Sequence, residues 1–357
     1  MHIRQAVRDY ERWLRGILRL ETADIRRKHV LMRQDKFSFF RGTFFRWAQQ
    51  WPKWCPAIAT APHVVAVGDL HVENFGTWRD TEGRLVWGVN DLDEAWRMPY
   101  TSDLVRLTVS AMIAGEERAL SLGKVRVSRA ILNGYRAGLT AGGKPFVLAE
   151  RYSALRSMAI ARLKNAKGYW QKLEGSPALR TRPATSVSRW LRQALPRGSR
   201  DERWGHRLAG IGSLGRERIT VVADCFGSKV AREAKALAPS ACAWAASRTA
   251  PLGRWHRFLL QHSIRCPDPF VQMKGTWIIR RLAPDCSRID LTDLPTAGDE
   301  RRLLESMGWE TANIHVASGR RAAILADLER RESGWLLDAT ERAVDAVTQD
   351  FEAWQER

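Results

Sequence analysis

The chain has 357 residues, 45% of them hydrophobic and 27% charged, which is enough for a sizeable core and for two lobes rather than one. Its 58 Lys and Arg against 39 Asp and Glu give a formal net charge of +19, which favours anionic partners such as a nucleotide, a nucleic acid or an acidic surface. The excess is spread along the chain, no run of about twenty apolar residues is present and five dispersed cysteines form no CxxC pair; this argues against a membrane-spanning helix, a zinc finger and a disulfide scaffold, and points to reduced thiols in a cytoplasm.

Residues 3 to 33 read as helix, with Ile3, Val7, Tyr10, Trp13, Leu14, Ile17 and Leu18 in one apolar stripe interrupted by charges, unlike a signal peptide. The aromatic stretch "FSFFRGTFFRWAQQW" follows and buries Phe39, Phe40, Phe44 and Phe45 around Arg41, which needs a carboxylate or a phosphate partner. "HVVAVGDL" reads as a buried strand that ends at a polar cluster, "GDLHVENFG". A turn at Glu82-Gly83 then leads to a second strand, Leu85 to Val89, ending in "NDLDEA"; the two strands are expected to pair like a hairpin and to bring Asp69 and Asn74 close to Asp91 and Asp93. "SDLVRLTVSAMIAGEERAL" reads as a helix with Ser102 as N-cap and Asp103 in its first turn.

Residues 125 to 195 look mostly helical, and "LPRGSRDERWGH" suits a boundary. "RITVVADCFGSKVAREAKAL" reads as a strand, a tight turn and a second strand or strand-to-helix segment, and "TWIIRRLAP" as another strand whose alternation sends Arg280 and Arg281 to opposite faces. The chain is helical again from Glu300, where Asn313 and His315 suit buried hydrogen bonds. The expected organisation is a helical region with a catalytic hairpin over 1–198, a small β-rich region over 199–290, and C-terminal helices over 291–357.

Phosphoryl transfer from ATP needs a carboxylate to take or orient the attacking hydroxyl's proton, and oxygen ligands for magnesium. Asp69, Asn74 and Asp91 supply these in the order kinases use, and Asp93 and Glu94 are candidates for a second metal or for pairing with Arg97. "GIGSLG", Gly210 to Gly215, has the spacing of a phosphate-covering glycine loop and precedes a strand, as in a kinase, instead of following one as in a dinucleotide fold.

"GDLHVENFG…VNDLDEA…YTSDLVRL" resembles the HGDLHPGN…IDWEDA…DLA pattern of aminoglycoside and choline kinases, and is more similar still to the bacterial DUF2252 family, with its FFRG segment, GD-H-NFG loop and NDFDE strand end. The resemblance implies an α+β, protein-kinase-like two-lobed fold, circularly permuted so that the helical catalytic lobe comes first and the small β-lobe is inserted later. By position it implies Asp69 as catalytic base, His71 in the catalytic loop, Asp103 as the aspartate that braces it, and Asn74 and Asp91 as magnesium ligands, with Asp93 beside them as the further metal candidate. Gly210, Gly212 and Gly215 would cover the phosphates, with Arg41, Arg232 and Lys235 as candidate cations. Val67 stands where those kinases often have histidine, and Val72 where proline is common. The implied activity is an ATP- and Mg2+-dependent phosphotransferase acting on a small-molecule acceptor. The alternatives are a non-catalytic nucleotide- or nucleic-acid-binding regulator, and a metal-dependent hydrolase built on Asp69, His71, Asp91 and Asp93.

Overall fold

The computed structural model describes every residue except 119–120, 149–151, 164, 180, 250, 287, 290–293, 295 and 357. The boundary placed at 290/291 from the sequence therefore lies outside the described residues.

The N-terminal apolar stripe folds as two helices where one was expected, α1 (Ile3–Arg15) and α2 (Thr22–Gln34). Gly16 ends α1 with bonds back to Arg12, Trp13 and Leu14, and Leu20 then bridges to Arg216, so the chain turns to meet a distant segment where the period alone would continue. Ile17, counted in the stripe, is exposed. The aromatic stretch forms α3 (Lys36–Gly42), whose N-terminus is capped by Asp35 accepting from Ser38 N at 2.6 Å, and α4 (Phe44–Trp54). Phe39, Phe40, Phe44 and Phe45 are all buried, each worth about 2–3 kcal/mol of transfer free energy.

The next strands are β1 (His63–Ala66), β2 (Phe75–Arg79), β3 (Leu85–Val89) and β4 (Trp96–Pro99). The pairing differs from the expected hairpin: β1 pairs with β4, and it is β2, hidden behind the polar cluster, that pairs with β3 across the Glu82-Gly83 turn. The cluster does not fold back on itself; a single 3-10 turn at Val72–Asn74 carries it into β2. The helix α5 (Tyr100–Arg118) begins at Tyr100, so Ser102 lies in its first turn, where its Oγ accepts from Trp47 Nε1 at 3.2 Å instead of capping.

Then come α6 (Lys124–Ala141), β5 (Phe146–Val147) on the free edge of β3, α7 (Ser153–Leu163), α8 (Ala166–Glu174) and α9 (Thr185–Ala194). The supposed boundary stretch contributes β6 (Arg200–His206), followed by the hairpin of β7 (Arg218–Cys225) and β8 (Ser228–Ala236), then α10 (Ala241–Ala245), α11 (Arg254–His262), β9 (Gln272–Lys274) and β10 (Trp277–Leu282). Among the described residues these strands form one antiparallel sheet in the order β6-β7-β8-β10-β9.

Alternation gives that sheet two apolar faces. Ile219, Val221, Ala234 and Ile279 pack on Val187 and Leu191 of α9, while Val222, Ala231 and Leu282 pack on Leu173 of α8. The β-rich core thus draws in helices that precede residue 199, and α10 and α11 give Ala241, Cys242 and Leu259 to the large helical core instead.

The chain ends with α12 (Ala297–Val316), α13 (Arg321–Arg330) and α14 (Trp335–Gln355). Helix α12 lies directly on α6: a Cβ at Gly308 would sit 2.1 Å from the Ile131 carbonyl, and one at Gly134 1.8 Å from that of Glu305, so only glycine permits this approach. The architecture is mixed α and β. No described helix is long and apolar enough to cross a membrane, and all five cysteines are free.

Candidate functional site

The ends of β1 and β3, the 3-10 turn before β2, helices α2 and α3, and the glycine loop ahead of β7 meet around one cleft of about 620 Å3, counting its open mouth. Its lining includes Asp69, His71, Asn74, Asp91, Asp93, Gly210, Gly212, Arg41 and Lys235, so nine of the twelve residues singled out from the sequence meet here. Asp103, Gly215 and Arg232 do not line it.

The loop that carries Asp69 is fixed from beneath. Asp103 is fully buried and accepts from Val67 N at 2.7 Å and Gly68 N at 3.0 Å, and it also meets His315 Nε2 at 3.1 Å. The His315 Nδ1 in turn contacts the Tyr135 hydroxyl at 2.8 Å, so the brace extends through α12 to α6. Gly68 has φ +82°, and a Cβ there would stand 2.3 Å from the Glu94 carbonyl oxygen, which explains the glycine before the aspartate.

Asp69 is held by Arg106, whose Nε donates to Oδ1 at 3.1 Å with an NH2 bond to the same oxygen. Arg106 is completely buried, with its guanidinium 4.0 Å from the Phe40 ring centroid and 4.9 Å from that of Phe44. Both bonds fall on Oδ1, while Oδ2 lies 3.4 Å from where a Cβ of Gly212 would stand. Burial pushes the Asp69 carboxyl above its ordinary range, opposed by Arg106 and Arg41.

His71 is buried, and its Nδ1 accepts from Glu73 N at 3.2 Å. Burial, with Arg41, Arg106 and Arg288 nearby, pushes its pKa well below the usual 6.5, so the ring is neutral with its proton on Nε2. Arg41 is paired with Glu73, which also meets Arg288.

Asn74 donates through its amide nitrogen to the backbone oxygens of Asp69 at 2.9 Å and Asp91 at 3.3 Å. This leaves its side-chain carbonyl without a hydrogen bond among the described residues. Asp91 Oδ2 lies 3.3 Å from Lys235 Nζ, and Asp93 binds the same ammonium more closely, with His256 Nδ1 at 3.6 Å and Arg216 at 3.7 Å. Burial would raise the Asp93 carboxyl, but Lys235, His256 and Arg216 outweigh it and hold it well below 3.8. Glu94 pairs with Arg216 at 3.0 Å and accepts from Ala241 N at 2.7 Å; the exposed Arg97 is not its partner.

Strand alternation separates the two candidate cations on β8, Arg232 and Lys235. Glu233 and Lys235 share one face of β8; Lys235 reaches the acids, and Glu233 sits in a cage of Arg207 at 2.6 Å, Arg218 at 2.8 Å and Arg280 at 2.8 Å. Arg232 points to the other face, 5.0 Å from the Phe270 ring, where burial lowers its pKa to about 10. Arg281, likewise opposite Arg280, pairs with Asp285 at 3.0 Å. Gly215 is spent on packing: its φ is +98°, and a Cβ would collide with Ile25.

The sequence reading missed Arg106, Arg216 and Lys28. Arg106 follows Asp103 by three residues, the helical spacing that puts both on one face of α5, so its signal was present. Lys28, on α2, lines the cleft and is only 5% exposed, and it had no local motif to mark it.

As a metal site the arrangement has hard oxygen donors, the Asn74 carbonyl and the Asp91 carboxylate, the latter 42% exposed on its side chain. Among the described residues no group of three or more His, Cys, Asp or Glu is arranged to hold an ion by itself. That donor set fits magnesium, which takes one or two protein oxygens and completes its shell with water and phosphate oxygens.

Residues 19–194 match the family model described as an uncharacterized protein conserved in bacteria, DUF2252. The match holds the loop from Gly68 to Asn74, the acids at 91 and 93 and the brace at Asp103, while the glycine loop and Lys235 lie beyond it. No curated protein and no solved structure matches the chain.

Proposed function

We propose that the cleft binds a magnesium-bound nucleoside triphosphate and transfers its terminal phosphoryl group to a hydroxyl of a small molecule. The fold is read as kinase-like, with the β-rich unit following the catalytic loop in the chain instead of preceding it. One observation carries this reading: Asp69, Asn74 and Asp91 line the same cleft as Gly210, Gly212 and Lys235, and Lys235 contacts Asp91 across 144 residues of sequence.

Each residue has a role that its surroundings support. Asp69 would take or orient the hydroxyl's proton through Oδ2, while Arg106 fixes the other oxygen; a carboxyl raised by burial is a better base than a free one. The neutral His71 offers an Nε2 proton to the acceptor. Asn74 and Asp91 would hold magnesium, which neutralises charge on the phosphate oxygens. Lys235, now shared between Asp91 and Asp93, would exchange a carboxylate for phosphate when nucleotide enters. Most of the acceleration then comes from positioning and charge.

A nucleotide-binding regulator without transfer is favoured by the tight pairing of Asp69 with Arg106, which ties up one carboxylate oxygen. Two measurements separate the readings. Thermal stabilisation by ATP that requires Mg2+ and is lost in Asp91→Ala supports nucleotide binding, and its absence in the wild-type protein overturns it. Turnover lost in Asp69→Asn with binding retained supports transfer; binding without turnover in the wild type, across a panel of hydroxyl acceptors, favours the regulator.

A further inference from the structure

Lys28 stands apart from every other charged residue lining the cleft. Arg41 is paired with Glu73, Arg216 with Glu94 and Asp93, and Lys235 with Asp91 and Asp93. Lys28 is 5% exposed, yet it makes no hydrogen bond or ion pair among the described residues.

The acids around it are already committed. Glu11 of α1 pairs with His29 at 2.6 Å, Glu94 with Arg216 at 3.0 Å, and Asp69 with Arg106. Those three acids support the ammonium at longer range, while Arg216 opposes it. A largely buried lysine that lines the cleft without a direct partner is costly to keep charged, and an anion entering the cleft would complete it. Its position indicates what that is. Gly215, at the end of the glycine loop, packs on Ile25 of the same helix and its carbonyl accepts from Glu21 N at 2.8 Å, so Lys28 lies one turn beyond the point where α2 grips the loop.

We infer that Lys28 binds a phosphate group in the cleft, as a cation supplied by α2 in addition to Lys235 of β8. The inference rests on the phosphotransferase reading for its substrate, either the terminal phosphate of the nucleotide or a phosphate on the acceptor, but the site itself is defined by the unpaired lysine. Burial lowers the ammonium to about 8, so the free site is partly neutral near that pH. An arriving phosphate restores full charge, and its binding is accompanied by proton uptake above about pH 8.

Amine acylation of the native protein with a water-soluble succinimidyl ester, read at Lys28 by peptide mass spectrometry between pH 7 and 9, tests the assignment. Saturating tripolyphosphate is expected to slow labelling of Lys28 about 10-fold while leaving the exposed Lys53 unaffected. Lys28→Met keeps the chain length and suits burial, so its melting temperature should equal or exceed that of the wild type. It is expected to bind the phosphate ligand about 10-fold more weakly, with Lys28→Arg recovering part of the loss.

A larger loss for magnesium-ATP than for magnesium-ADP assigns the site to the nucleotide's terminal phosphate. Loss for inorganic phosphate alone, with both nucleotides unchanged, assigns it to the acceptor. If Lys28→Met binds tripolyphosphate, inorganic phosphate and both nucleotides as the wild type does, and none of them protects Lys28, the inference fails. Magnesium-ATP binding with no protection of Lys28 by any of these phosphate ligands overturns it and leaves the nucleotide reading intact; protection by tripolyphosphate with no response to ATP does the reverse.

Discussion

Replacing Asp103 with alanine tests the mechanical basis of the site. Its carboxylate is fully buried and accepts from Val67 N at 2.7 Å, Gly68 N at 3.0 Å and His315 Nε2 at 3.1 Å. The substitution orphans two buried backbone N–H groups at about 1–3 kcal/mol each and strands a histidine between α5 and α6, for an expected loss of about 3–5 kcal/mol. That is a large part of the roughly 5–15 kcal/mol by which domains are stable. Asp103→Asn retains one acceptor oxygen and should lose about half as much. Urea unfolding followed by tryptophan fluorescence gives both numbers, with the slope unchanged if the unfolded state is unaffected. An Asp103→Ala protein within about 1 kcal/mol of the wild type would refute the brace, because the two amides would then have found other partners.

Three further outcomes follow from the charges. In Glu233→Gln the Arg207, Arg218 and Arg280 cage loses its anion, which should cost about 3–5 kcal/mol at neutral pH by urea unfolding. Burial alone would raise the Glu233 carboxyl, but the three guanidiniums hold it well below 4.5, so the wild type keeps this stabilisation down to that pH and loses it only in stronger acid; a deficit that vanishes at pH 6 would contradict the cage. Glu310 is the opposite case, raised from 4.5 to about 7 by burial, so the folded state binds its proton more tightly than the unfolded one and stability falls as pH rises from 4.5 to 7. Unfolding curves should show that fall, up to about 3 kcal/mol, and Glu310→Gln should flatten it; equal slopes in the two proteins would remove Glu310 as the cause. Lys235→Met should weaken magnesium-ATP binding about 10-fold or more by calorimetry, whereas Arg232→Met, on the other face of β8, should leave it within about 2-fold.

The periodic signals in the chain identified element types better than partners. The apolar strands, the Phe226-Gly227 turn and the long helices follow from local pattern, and the structure has them. Which strand pairs with which does not: the strand at 63–66 and the one at 85–89 look like a hairpin because both are short apolar runs ending in acids. The chain between them conceals β2 in "FGTWR", whose Thr and Arg give it no clean alternation, and that strand takes the pairing. The break between α1 and α2 was hidden for a related reason, since Leu20 leaves the helical period only to bridge with Arg216, nearly two hundred residues away.

The acids of the candidate site were legible because they are clustered at strand ends, where a buried run stops and several polar residues follow at once. Its cations were legible only in part: Arg41 and Lys235 stood among the candidates, whereas Arg106, Arg216 and Lys28 did not, because each comes from an element with its own structural purpose. Arg106 is one helical turn past Asp103, Arg216 closes the glycine loop, Lys28 projects from α2, and Lys235 is chosen over Arg232 by alternation along β8. A carboxylate cluster must be assembled locally, since acids that approach one another need shared counter-charge; the counter-charges can arrive from anywhere in the fold. In this cleft they arrive from α2, α3, α5, the glycine loop and β8, and all but Lys28 reach an acid. Lys28 is thus the one lining charge without a direct partner among the described residues, and no local motif marks it; only its place in the fold does.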